Sequence, residues 1–92
     1  MRTAPAGLLT ARTITVGGSD IYLRVTSSPV DLEIWWYRYG DSGVSGSPVL
    51  FPAGDLARRR IGANFRAGTM FCLDVIGGVR TWNGIVDWNV CS

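Results

Sequence analysis

The chain contains no histidine and no lysine. Without histidine, a Ser/His/Asp triad, a Cys/His dyad and a histidine-ligated metal are excluded. Without lysine, so are Schiff-base chemistry, a Ser–Lys dyad and the phosphate-gripping cation of a P-loop. All nine cations are arginine, and against seven carboxylates they leave a net charge of only +2. That field is too small to draw in nucleic acid or a membrane by bulk electrostatics, so neither is expected as a partner. No apolar run approaches the ~18 residues of a membrane span. Charged residues are scarce at 17%, yet 47% of positions are hydrophobic, which excludes a disordered tail. At 92 residues the sequence reads as one domain with an adequate but thin core.

Cysteine is nearly absent too. The two that occur, Cys72 and Cys91, form no Cys-x-x-Cys motif, so neither zinc nor a redox centre is indicated. An even count in a short chain points to a disulfide between them. It would close a loop of about 20 residues and contribute about 3 kcal/mol in the chain-entropy model. A disulfide implies an oxidising compartment and hence a secreted protein, whereas two reduced thiols imply the cytoplasm. Residues 1–11 (MRTAPAGLLTA) lack the apolar segment of a signal peptide, so the secreted reading needs a presequence outside this sequence.

Glycine and proline recur about every 8–12 residues, the punctuation of an all-β sandwich or barrel. Residues 12–16 (RTITV), 21–26 (IYLRVT), 32–39 (LEIWWYRY), 49–51 and 69–76 (TMFCLDVI) read as strands. Alternation puts Ile21, Leu23 and Val25 inward against Tyr22, Arg24 and Thr26, and groups Phe71, Leu73 and Val75. Residues 17–20 and 77–78 read as turns, and 40–48 (GDSGVSGSP) as an exposed loop. Residues 55–61 (DLARRRI) read as a short helical turn capped by Asp55, or as a strand. Asn83-Gly84 has the preferred type I′ composition and predicts a hairpin over 79–88. That hairpin sets Trp82 opposite Ile85 and Arg80 opposite Asp87 on an outer face, with Val79, Thr81, Val86 and Trp88 inward. Residues 1–7 read as a loose tail. The fold class is all-β, a small antiparallel β-sandwich of about seven strands, with an open barrel as second choice.

Four of the aromatics, Trp35, Trp36, Tyr37 and Tyr39, crowd into five positions. Period two places Leu32, Ile34 and Trp36 on one face and Glu33, Trp35, Tyr37 and Tyr39 on the other. With the first face in the core, Trp35, Tyr37 and Tyr39 form an exposed row. Tyr22 and Arg24 join it if their strand is the neighbour. Such a row offers large apolar area with polar tips, the chemistry of a sugar platform or a protein hot spot. Trp82 extends the same surface in this reading.

Arg58-Arg59-Arg60 is the one charge run. It suits an anionic polymer, but pleating would turn Arg59 away from its neighbours, and a solvated strand edge is the simpler reading. Asp31 and Glu33 share a face without a visible cleft, and Asp41, Ser42 and Ser45 have the donor types of a loose calcium loop. Neither supports assigning a metal or cofactor. The tetrapeptide around Ser42 (GDSG) matches a serine-protease nucleophile, but no histidine base exists.

The segment Trp36-Tyr37-Arg38-Tyr39 resembles the Trp-Arg-Tyr that tendamistat-type α-amylase inhibitors present to their enzyme. Those are small secreted all-β proteins. The resemblance covers four residues, in a different order and with two cysteines rather than four. It makes an inhibitor a physically reasonable alternative.

The sequence therefore predicts a small, secreted, non-catalytic binding module. Its recognition surface comprises Tyr22, Trp35, Tyr37, Arg38, Tyr39 and Trp82, its ligand is a carbohydrate or a protein, and it is a monomer or small homo-oligomer. The alternatives are a secreted enzyme inhibitor or toxin-like effector, and a structural subunit that uses the aromatic face for assembly.

Overall fold

Apolar side chains at every second position need a second surface to cover them, and this chain supplies it by folding into two sheets. The computed structural model describes residues 1–7, 10–76 and 82–91. Among them are nine strands and no helix: β1 (Arg2–Pro5), β2 (Arg12–Thr13), β3 (Ser19–Ser27), β4 (Leu32–Arg38), β5 (Asp41–Ser45), β6 (Val49–Phe51), β7 (Arg59–Phe65), β8 (Met70–Ile76) and β9 (Asn83–Val90). The four-stranded sheet runs β1-β9-β3-β7, and the five-stranded sheet runs β2-β8-β4-β5, with β6 also pairing β4. Every pairing is antiparallel. The result is a small antiparallel β-sandwich.

The core follows the alternation. Ile21, Leu23 and Val25 of β3 and Val86 and Trp88 of β9 pack against Leu32 and Ile34 of β4, Phe51 of β6, and Phe71 and Leu73 of β8. Each such side chain contributes about 1.5–3 kcal/mol by leaving water. Phe71 meets Trp88 edge to face across the sandwich, with centroids 6.2 Å apart.

Several expectations are corrected. Residues 2–5 are no loose tail: β1 pairs with β9 from Arg2↔Trp88 to Pro5↔Ile85. The expected loop over 40–48 folds back as β5 onto β4, with Gly40 (φ 82°) at the turn. No helical turn forms at 55–61. There the Asp55 carboxylate accepts the Ala57 amide, and β7 then begins at Arg59. Asn83-Gly84 is not a turn. Both residues lie in β9, where Gly84 pairs with Val25 and Asn83 with Ser27 of β3. The remainder of that hairpin, including Val79, Arg80 and Thr81, lies outside the described residues.

The disulfide is also overturned, because Cys72 and Cys91 are both free thiols. Cys72 belongs to the five-stranded sheet and alternates with the core residues Phe71 and Leu73, so it turns away from the opposing layer. Cys91 follows β9 of the other sheet and is exposed. A bridge needs Cα atoms within about 7 Å, whereas packed sheets lie about 10 Å apart.

Candidate functional site

Strand β4 carries the aromatic cluster, and its pleat divides that cluster as the sequence predicts. Leu32 and Ile34 are fully buried, while Trp35 and Tyr37 are half-buried and Tyr39 is 57% exposed. Neighbouring strands then decide what surrounds the outer face. Glu33 pairs with Ile76 on one side and Leu50 on the other, Trp35 with Asp74, and Tyr37 with Cys72 and Ser45. The Tyr39 amide donates to the Met70 carbonyl. Paired residues share a face, so one surface collects Leu50, Ile76, Trp35, Tyr37, Met70 and Tyr39. Leu50 and Ile76 are each 50% exposed and Met70 38%.

The electrostatics of this face are sparse. Glu33 and Asp74 are its acids, and among the described residues neither has a cationic partner. Burial first, then the adjacent Cys72 thiol and the Asp74 carboxylate, raise the Tyr37 pKa above that of an ordinary phenol. Tyr37 therefore stays a neutral donor across the physiological range.

Arg38 does not share this face. It sits beside the core-side Trp36, at a groove of about 320 Å³ also lined by Val44, Asn64, Phe65 and Arg66. Trp36 packs edge to face on Phe65 at 4.7 Å. The four-residue likeness to amylase inhibitors is thus split by the pleat, with Trp36 and Arg38 on one side and Tyr37 and Tyr39 on the other.

Tyr22 belongs to the other sheet, since β3 pairs with β7 and β9 rather than with β4. The Arg58 guanidinium lies 4.2 Å from its ring centroid and is held by Asp87 at 2.9 Å. Trp82 packs partly buried against the core instead of extending a surface. Without a turn at 83–84, residue parity continues through β9 and puts Trp82 on the side of Val86 and Trp88.

The arginine triplet is also accounted for. Arg58 pairs with Asp87, Arg59 with Asp55, and Arg60 lies 3.9 Å from Asp20. Each cation has its own carboxylate, so the run forms no free basic patch. Asp41 accepts the Gly43 amide, and among the described residues no group of three potential metal ligands occurs.

Sequence reasoning missed Leu50 and Ile76, because neither position reveals its neighbour across the sheet. It also missed a cavity beside Arg12 and Trp88. The signal for Arg12 was present, since it shares the parity of Ile14, and both are buried. In comparisons with known proteins, no family, no curated protein and no solved structure matches this chain.

Proposed function

We propose that this chain is a small non-catalytic binding module that docks a protein partner on the outer face of its five-stranded sheet. The observation that carries the reading is that half-exposed Leu50 and Ile76, on either side of Glu33, share one face with Trp35 and Tyr37. Aromatic side chains and methionine are the residues that protein interfaces favour, and exposed apolar side chains gathered on one face mark such a site. A sugar platform would not need the exposed aliphatic side chains of Leu50 and Ile76, which add apolar area at one end of the aromatic row. Glu33, between Leu50 and Ile76, and Asp74, beside Trp35, suit a partner that brings cationic groups among its apolar ones. With both thiols free, the reading no longer draws on an oxidising compartment.

The test compares the wild type with Leu50→Glu and Ile76→Glu, and with Arg58→Ala on the other sheet as control. All four should give the same circular dichroism. A protein retained by the wild type and by Arg58→Ala, but released by both glutamate variants, supports the reading. Equal retention by all four overturns it. Tryptophan quenching by soluble glycans without protein capture moves the ligand to carbohydrate. A dimer that dissociates in Leu50→Glu makes the partner a second copy.

A further inference from the structure

Arg12 is 9% exposed and has no carboxylate partner among the described residues. Its Nη2 donates to the Pro5 carbonyl at 2.7 Å, and its guanidinium lies 5.5 Å from the Trp88 ring centroid. Its Nη1 is buried with no acceptor. Desolvation pulls its pKa down, and the Cys72 thiol is the neighbour that offsets this in part. A buried charge without a counter-charge is costly, which is why buried arginines are almost always paired.

Beside it opens a cavity of about 320 Å³, lined by Arg2, Arg12, Thr13, Thr15, Trp88 and Asn89. That volume is at the small end of ligand pockets. The cavity lies where the edge strands β1 and β2 of the two sheets approach each other over β9. Asn89 has a left-handed backbone (φ 58°) that interrupts the alternation, so Trp88 and Asn89 are both buried in succession. The Asn89 amide oxygen accepts the Thr15 and Val16 amides, and its nitrogen donates to Thr15 Oγ1 at 2.8 Å. That leaves the Thr15 hydroxyl proton for another acceptor. Two arginines and two threonines line it, and no acid is among the lining residues.

We propose that this cavity is an oxyanion site, in which Arg12 and Arg2 bind a carboxylate or phosphate group beside Trp88. The ligand supplies the counter-charge that the described residues do not give Arg12. Arg2, exposed on β1 and opposite Trp88, closes the site from the solvent side. The guanidinium fork is matched to both oxyanions. Arg12 pairs with Phe71 on the core side of the five-stranded sheet rather than on its outer face, so either proposal can fail without the other.

The test is a titration of the full chain, labelled with nitrogen-15, with inorganic phosphate and separately with acetate, at ionic strength held constant by chloride. The Arg12 side-chain and Trp88 indole signals should shift saturably with at least one of them. Tighter phosphate binding assigns a phosphate ester, and tighter acetate binding a carboxylate ligand. Arg2→Ala should weaken binding about tenfold, and Arg12→Met should remove it. Arg2→Glu, on an exposed edge strand, should abolish binding while leaving the fold intact even if Arg12→Met does not fold. Shifts that never saturate and are matched by chloride overturn the proposal, as does saturable binding that survives in Arg2→Glu.

Discussion

Gly84 is required by crowding rather than by a turn. A Cβ at this position would fall 2.9 Å from the Arg24 carbonyl oxygen and 2.9 Å from Trp82 Cζ3. The first is a backbone atom of a paired strand and cannot move aside. Gly84→Ala should therefore cost about 1–3 kcal/mol, the usual range for an overpacked site, read as a lower urea midpoint at unchanged slope. An unchanged midpoint would show that β3 and β9 separate easily there. The same residue explains why the sequence misleads. Asn-Gly is a strong local turn signal, but β9 is held by β1 on one side and β3 on the other, and two ladders outweigh one dipeptide. Trp88 was legible because its parity with Val86 already put it inward. Trp82 was misplaced by the turn that did not form.

At the scale of elements, the central strands were readable and the edges were not. β3, β4 and β8 each bury one face, so their alternation is written in the residues themselves. β1 (RTAP) and β5 (DSGVS) have the composition of a tail and a loop, and they become strands only through pairing with β9 and β4. Alternation also names no neighbours, which is why Tyr22 and Tyr37 appeared to share a surface. The connection from β6 to β7 shows a different kind of local order. Asp55 accepts the Ala57 amide at 2.9 Å and the Arg59 guanidinium. The Ala57 bond first, then Arg59, holds its pKa below that of an ordinary aspartate. A depressed folded pKa means the stabilising contribution is present above the unfolded value and is lost as pH falls through the folded one. The carboxyl carbon of Asp55 should titrate below an ordinary aspartate, with the Ala57 and Arg59 signals changing over the same acid range. Asp55→Asn should keep the Ala57 bond and remove that pH dependence. A midpoint at or above the ordinary value would show that the carboxylate is not held in this loop.

At the scale of the whole molecule, counting cysteines could not reveal that they belong to different layers. Parity of number suggested a bridge, but parity of position turns Cys72 to the outer side of one sheet, while Cys91 trails from the other. The sandwich is then held without a covalent link between its sheets, chiefly by a core in which fully buried Ile14, Ile21, Leu23, Leu32, Ile34, Phe71, Leu73 and Val86 span both sheets. Two consequences can be measured. Dithiothreitol should leave the melting temperature unchanged, since there is no bond for it to break. Iodoacetamide should add one label to the native protein, at exposed Cys91, and a second only after unfolding, because Cys72 is 1% exposed. Intact mass separates the cases, for a disulfide would give no label in either state until reduction. The slow second label would report something further. Cys72 lies directly across from Tyr37, so its rate of modification measures how often that strand pair opens beneath the surface proposed to bind a partner. A partner seated there should slow the labelling of Cys72 and leave that of Cys91 unchanged.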